Sequence, residues 1–290
     1  MKLMQKAVVL VCFLLVSTLP SSDVNGQSNI FKFLVISDVH ISNDTVKDVK
    51  LKRFVSEINN IEFGKVDFLI LTGDNVSSYF SDRKKPNDIK NNRSLKLVSI
   101  LKNLKIPYYL CLGNHDYKID RDKDSDAPFS KAEIDTMEIL WNKSTGIEPF
   151  YSFEHKGWKF IFLNSMRGRY LNRAFDDNQM KMLADQLSDG KASFLFFHYP
   201  VQTDHFRIWA KPIDLITQDN EPEFFSILQK HKNTVKAIFV GHGHMWNDDV
   251  LYGSINEYET TTFGEKKAQS FNIVEVDKSN NSFKVTPSEK

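Results

Sequence analysis

Five short apolar runs constrain this chain more than any other feature: FKFLVIS (31–37), VDFLILT (66–72), YYLCL (108–112), ASFLFF (192–197) and VKAIFV (235–240). They are short, near-continuous and rich in branched and aromatic residues, which predicts strands covered on both faces. Helical patterns lie between them. Leu51, Phe54, Val55 and Ile58 share one helix face, Leu95, Val98 and Leu101 a second, and Met180, Leu183, Ala184 and Leu187 a third. The third helix carries its own punctuation, with Asp176 as N-cap, Gln179 completing a capping box and Gly190 just past the end. YSFEHKGWKFIFLNS (151–165) reads as a hairpin turning at Lys156-Gly157, and Val250 to Val285 as strands and turns without a helix. Strands alternating with helices and followed by hairpins predict a mixed α/β fold, two sheets with helices outside. SDRKKPNDIKNNRS (81–94) and DRDKDSDAP (120–128) are the most polar segments and are expected to be surface loops.

A chain of 290 residues with 41% hydrophobic content has enough apolar material for a large core, and disorder is excluded. The formal charge is +1, so no strongly basic face for nucleic acid is implied. The N-terminus combines a basic start (Lys2, Lys6), an apolar run from Ala7 to Val16 and small polar residues, the pattern of a secretory signal over residues 1–26. Its removal takes away Lys2, Lys6 and Asp23, leaves a neutral chain and predicts an exported single domain over residues 27–290. The competing reading is a retained membrane anchor, which the shortness of the apolar run disfavours. Of the two cysteines, Cys111 lies within an apolar run and is expected in the core. Asn-x-Ser/Thr sequons occur at Asn43, Asn75, Asn92, Asn142 and Asn280, of which Asn75 is the least suited acceptor because Asp74 beside it is wanted inside a site.

The informative pattern lies in the residues directly after each apolar run. FKFLVIS leads into Asp38 and His40, VDFLILT into Asp74, and YYLCL into Asn114, His115 and Asp116. ASFLFF leads into His198, and VKAIFV into His242 and His244. In open α/β sheets, ligands bind beyond the carboxyl ends of the strands, where such loops converge. Asp38, His40, Asp74, Asn114, His198, His242 and His244 together offer carboxylate, amide and imidazole donors without a thiolate. That mixture suits divalent or trivalent manganese, iron or zinc rather than calcium or copper(I). Seven donors exceed the needs of one ion, and a carboxylate can bridge, so a pair of ions is the natural division.

Asp38-Val39-His40, Gly73-Asp74-Asn75, Gly113-Asn114-His115-Asp116, His198 and Gly241-His242-Gly243-His244 together resemble the five ordered motifs of the calcineurin-like metallophosphoesterases. The resemblance spans residues 38 to 244 and its specificity lies in the ordered set. It implies that Asp38, His40 and His244 hold one ion, that Asn114, His198 and His242 hold the other, and that Asp74 bridges them. It also implies two mixed sheets in a four-layer sandwich flanked by helices, and hydrolysis of phosphate esters by a hydroxide bridging the ions. Asp74 and His115 are then the catalytic residues, with His115 giving a proton or hydrogen bond to the leaving oxygen. A histidine that only braces a ligand remains the alternative.

Substrate contacts are expected from Asn114, His115 and Trp246, although Trp246 suits core packing equally. GDNVSSYF lacks the Asp-Arg-Gly found at this point in Ser/Thr protein phosphatases, so their carboxylate partner for the histidine is missing. His40 stands where the first motif of purple acid phosphatases has no histidine, and a tyrosine ligand is not evident. The remaining pattern is that of phosphodiesterases and phosphomonoesterases acting on small phosphate esters, nucleotides included. The arginines and aromatics of MRGRYLNR (166–173) and HYPVQTDHFRIWAKP (198–212) could reach a substrate but suit ordinary surface or packing roles better. A metallo-β-lactamase-like site would want His-x-His-x-Asp-His, which does not occur. A non-catalytic binding protein on the same metal-holding fold is the rival from another class.

Overall fold

The computed structural model describes residues 29–80, 85, 88, 90–118, 130–203 and 215–290. In chain order the elements are β1 (Ile30–Ile36), α1 (Thr45–Asn59), β2 (Phe68–Leu71), α2 (Arg93–Leu101), β3 (Tyr108–Leu110), α3 (Lys131–Thr145), β4 (Tyr151–His155), β5 (Trp158–Phe162), α4 (Asp177–Leu187), β6 (Ser193–Phe196), α5 (Pro222–Lys230), β7 (Val235–Val240), β8 (Asn247–Leu251), β9 (Ile255–Glu259), β10 (Ser270–Asp277) and β11 (Ser282–Glu289). They form a five-stranded sheet in the order β11-β10-β1-β2-β3 and a six-stranded sheet in the order β4-β5-β6-β7-β9-β8. The interiors of both are parallel, β1 with β2 and β3, and β5 through β6 and β7 to β9, while β10, β11, β4 and β8 run antiparallel at the margins.

The strands bury both faces, and the two faces differ in chemistry. Phe31, Phe33 and Val35 of β1 join Phe68, Phe160, Phe162, Phe194, Phe196 and Phe239 in the seam between the sheets. Leu34, Ile36, Ile161, Leu195, Ile238 and Val240 project the other way, into the layer shared with the helices. Because side chains alternate along a strand, successive residues of each run go to opposite faces, and most of the phenylalanines fall on the seam side. Phe33 sits among Phe68, Phe160, Phe194 and Phe239 at centroid distances of 5.2, 5.3, 5.7 and 6.1 Å. Such offset and edge-to-face pairs fill the seam and help fix how the sheets face each other.

The helices complete the outer layers. Phe54 of α1 meets Phe271 of β10 at 5.2 Å, and Phe224 of α5 meets Phe197, just past β6, at 5.8 Å. The expected four-layer arrangement of two mixed sheets flanked by helices is therefore the observed one. The hairpin turns where expected, with Lys156 at φ 49° and Gly157 at φ 88°, the positive pair that a two-residue primed turn requires.

Several local expectations need correction. Asp176 does cap α4 by accepting from Gln179 N, but the Gln179 side chain does not close a capping box. It clamps the backbone of Asn164 instead, accepting from its N at 2.7 Å and donating to its O at 3.1 Å. The end of the 81–94 segment is not surface loop, because Asn91, Asn92, Arg93 and Ser94 are buried and Asn92 caps α2. The loop expected at 120–128 and the signal expected at 1–26 lie outside the described residues. Helices α3 and α5 have no counterpart in the sequence reading. The buried face of α3 interrupts its apolar residues with Glu138, and α5 is nine residues long. Among the described residues no helix is long and apolar enough to cross a membrane.

Candidate metal centre

The carboxyl ends of β1, β2, β3, β6 and β7 face one another, and the loops leaving them meet. Backbone bonds fix the first two loops as a unit: Asp38 N donates to Gly73 O at 3.1 Å and His40 N to Asp74 O at 3.0 Å. Asn75 ties the second loop to the third, with Nδ2 donating to Cys111 O at 2.7 Å and to Asp116 Oδ2 at 2.9 Å. Asn75 is fully buried, so this sequon is closed to modification, and Asn92 is buried as well. Cys111 is a free, buried thiol, as its apolar surroundings predict.

Asp38, His40, Asp74, His242 and His244 have φ of 53°, 51°, 48°, 74° and 57°. A side chain in this left-handed region costs of order 1–3 kcal/mol, so it persists only where surrounding contacts over-determine it. Five such residues at one strand-end crevice mark strain concentrated on a site. Two glycines permit the packing. Gly73 adopts φ 101° and an added Cβ would lie 2.5 Å from His198 Nδ1, and at Gly113 it would lie 2.3 Å from Asp74 Oδ1.

The side chains converge on two adjoining points. Asp38, His40 and His244 bring donor atoms within 4.8 Å of one another, and so do Asp74, His198 and His242. In the first group His244 Nε2 lies 3.1 Å from Asp38 Oδ1 and 3.3 Å from His40 Nε2. In the second, His198 Nε2 lies 3.3 Å from Asp74 Oδ2. His40 Nε2 is also 3.9 Å from Asp74 Oδ2, which puts Asp74 between the two. Asn114 stands in a short 3-10 turn, Asn114–Tyr117, whose His115 N donates to Asp74 Oδ1 at 2.8 Å.

Electrostatics favour cations at these points. Asp74 is fully buried, which alone would raise its pKa, yet His198, His115 and His40 hold it well below the usual carboxylate range. Asp38 behaves likewise, burial being outweighed chiefly by the hydrogen bond from His244. Burial pushes His40 down to about 4 and His242 to about 3, so both present neutral nitrogens. His198 and His244 go the other way: the Asp74 carboxylate overcomes burial and raises His198 to about 9, and the hydrogen bond with Asp38 raises His244. His198 Nδ1 faces Thr72 O at 2.9 Å, and since a carbonyl only accepts, Nδ1 carries the hydrogen and Nε2 is left facing Asp74.

Asn114 Oδ1 is buried without a hydrogen-bond partner, and His198 Nε2 has the 3.3 Å ion pair with Asp74 in place of a well-formed hydrogen bond. Donor atoms so placed beside two ionised carboxylates fit a pair of metal ions, since a cation would satisfy both and displace the proton on His198. The residues present therefore fit the dimetal centre that the motifs imply, with Asp74 as the shared ligand.

Around this floor the structure adds residues that the sequence reading did not assign. Asp116 is buried and accepts from Gly113 N at 2.9 Å and Val76 N at 3.0 Å, bracing the second and third loops. Burial and the neighbouring Asp74 raise its pKa to about 7. His115 turns its Nδ1 to Ser77 O at 2.9 Å, so a backbone carbonyl stands where a carboxylate partner was missing. A cavity of about 470 Å³ opens over the first group, lined by His40, His115, Lys118, His244, Ser77 and Lys47 among others.

Trp246 is not on that wall, because its Nε1 donates to Glu289 of β11 at 3.0 Å. Arg167 pairs with Asp176 at 2.6 Å, Arg169 donates to Tyr199 Oη at 2.7 Å and Arg173 pairs with Asp177 at 2.8 Å, which are packing roles. The segment 204–214, with His205, lies outside the described residues.

The sequence profile of the calcineurin-like phosphoesterases matches residues 31–246, the stretch that carries all seven donors. Sphingomyelin phosphodiesterase 2 of Caenorhabditis elegans is 22% identical over 228 residues, covering 68% of this chain and 35% of its own length. The chain thus spans about a third of that relative. Among solved structures, a dimetal phosphatase from Danio rerio superposes with a TM-score of 0.60 at 14% identity, covering 84% of this chain and 92% of the other. A phosphopantetheinyl hydrolase from Mycobacterium tuberculosis gives 0.51 at 12% identity, covering 81% and 92%. At these identities the superpositions establish a common fold.

Proposed function

The chain belongs to the calcineurin-like phosphoesterase family, and from that membership we propose that it is a dimetal hydrolase of small phosphate esters. The observation that carries this reading is Asp74, an ionised carboxylate between two groups of converging donors, with His198 Nε2 paired to it and Asn114 Oδ1 left without a hydrogen-bond partner. Asp38, His40 and His244 would hold one ion, Asn114, His198 and His242 the other, and Asp74 both. Bound there, manganese, iron or zinc supplies the Lewis acidity that activates water and neutralises phosphoryl charge.

The chain's own residues do the rest. Thr72 O orients His198, and Asp116 and Asn75 hold the second and third loops at fixed separation. His115 faces the cavity with His40 and His244, in position to serve the leaving oxygen. The cavity of about 470 Å³ is lined by histidine, serine, lysine and carboxylate side chains, which suits small esters, nucleotides included. The Caenorhabditis relative, a sphingomyelin phosphodiesterase by name, supports a diester as the first substrate class to assay. The signal-like pattern of residues 1–26 supports export.

The test is turnover of bis-nitrophenyl phosphate and a panel of mono- and diesters by protein loaded with manganese. The reading predicts hydrolysis that a chelator abolishes and added metal restores. Two bound ions with no turnover of any ester would instead leave a metal-holding recognition scaffold.

A further inference from the structure

The rim of the cavity over the first donor group carries an ion pair whose two halves are unequal. Lys47 Nζ lies 2.9 Å from Glu265 Oε1, and both residues line the cavity together with His40 and His244. The lysine side chain is 19% exposed and the glutamate side chain 50%, so the cation is the inner partner and the carboxylate the outer one. An ion pair at a surface is worth about 1 kcal/mol or less, so the glutamate can turn to water at little cost. The enclosed lysine cannot do the same. Without an anion beside it, it would keep a poorly solvated charge.

Both partners stand on anchored backbone. Lys96 Nζ donates to Ser42 O at 2.8 Å and pairs with Asp48 at 2.6 Å, which fixes the start of α1 and Lys47 with it. Asp44 caps that helix by accepting from Val46 N at 2.9 Å, so this carboxylate is engaged with the helix backbone. On the other side Gly264 N donates to Asp38 O at 2.9 Å, Thr262 Oγ1 donates to the same oxygen at 3.0 Å, and Glu265 N donates to Thr262 Oγ1 at 3.2 Å. Lys47 also sits in the first turn of α1, where the aligned peptide dipoles already present positive charge. A lysine there costs the helix stability, and its charge adds to that of the dipole in drawing anions to this wall.

We propose that Lys47 is a specificity-determining residue of this site, which receives a second phosphate group of the substrate, and that Glu265 occupies its place until the substrate arrives. The inference rests on the phosphoesterase reading and adds a substrate class to it, esters that carry a further phosphate within the span of the cavity. Binding exchanges one contact for another. The second phosphate accepts hydrogen bonds from the Lys47 ammonium, and Glu265 turns outward to water. The exchange favours the substrate because a phosphate brings nearly two negative charges and three acceptor oxygens, against the single charge that Glu265 shares with solvent. An ester without a second anion leaves the Lys47–Glu265 pair as it stands and gains nothing from it.

The test uses the metal-loaded full chain and matched substrates, nitrophenyl diesters and alkyl monoesters whose alkyl arm ends either in a phosphonate, which the enzyme cannot hydrolyse, or in a hydroxyl. The arm is lengthened in steps. At the matching length the wild type should show a KM about 10-fold lower for the phosphonate-ended member, the effect of one charge-assisted hydrogen bond. Lys47→Met should abolish that preference and Lys47→Arg should keep part of it. Glu265→Gln removes the competing carboxylate and should lower KM for the phosphonate-ended member further. Added salt should shrink the preference in the wild type. Turnover with no preference at any arm length, a preference that Lys47→Met leaves intact, or equal losses on both members in that variant would overturn the assignment. Absence of turnover of every ester by the loaded wild type would overturn the phosphoesterase reading, and this inference with it.

Discussion

The two sheets bring different chemistry to the crevice they share. Loops from the five-stranded sheet supply Asp38, His40, Asp74 and Asn114, which include both carboxylates, whereas loops from the six-stranded sheet supply only imidazoles, His198, His242 and His244. The carboxylates therefore come from one sheet and most of the imidazole donors from the other. Neither half holds a complete set for either ion. On this reading a complete donor set needs loops from both sheets, so metal binding is expected to follow or accompany closure of the aromatic seam.

Burial divides the centre a second way. His198 is fully buried, while the His244 side chain is 41% exposed at the cavity side. The Asp74–His198 side is the more enclosed, with only His242 partly exposed, and the Asp38–His244 side opens to the cavity. This contrast predicts that an incoming ester meets the first group, and that the second acts mainly by holding its ion and Asp74 in place.

The largest effect that would break the comparison is at the shared carboxylate. Asp74→Ala should remove at least one ion and lower turnover by about 10³-fold or more, a loss of the order seen when a preorganised electrostatic contact is removed. His242→Ala should cost only its own ion's occupancy, and metal analysis of the two variants would separate them. Similar stoichiometry in both would argue against a bridging role.

Next is the seam. Phe33 is fully buried amid four aromatic rings of both sheets, and Phe33→Ala should destabilise the fold by about 3–5 kcal/mol. Denaturant melts of the metal-free protein would measure it. If the sheets must close before the ions bind, metal affinity should fall in parallel, even though Phe33 touches no ligand.

The smallest expected effect sharpens the contrast through pH. Glu257 of β9 is buried in the six-stranded sheet, and burial raises its carboxyl to about 8 although Val201 N donates to it at 2.7 Å. Below the unfolded value of about 4.5 both states are protonated; between there and 8 the native state alone keeps the proton, so stability falls as pH rises through that window. Glu257→Gln keeps an acceptor for Val201 and removes the titration. Thermal melts should show no gain near pH 4 and a gain that grows up to about pH 8; a gain independent of pH would mean the carboxyl does not titrate there.

The legible part of this molecule was the part written in side-chain type and spacing. Runs such as VKAIFV could be read as buried strands, and the residue just past each run could be read as a donor because strand ends are where α/β sheets bind ligands. What could not be read depends on backbone or on distant partners. Ser77 and Thr72 orient histidines through carbonyls that any residue would supply. Trp246 sits beside His244 in sequence, yet its indole donates to Glu289 of β11 in the other sheet, a partner no local pattern announces. Gln179 fits a cap motif yet serves Asn164, because tertiary contact outcompeted the local one.

The central claim is that Asp74 lies between two ions. A crystal of protein soaked in manganese, with diffraction recorded at a wavelength where manganese scatters anomalously, tests it directly. The account predicts two anomalous peaks about 3.5–4 Å apart, one near Asp38, His40 and His244 and one near Asn114, His198 and His242, with Asp74 reaching both. A single peak, or two that leave Asp74 uncoordinated, would contradict it.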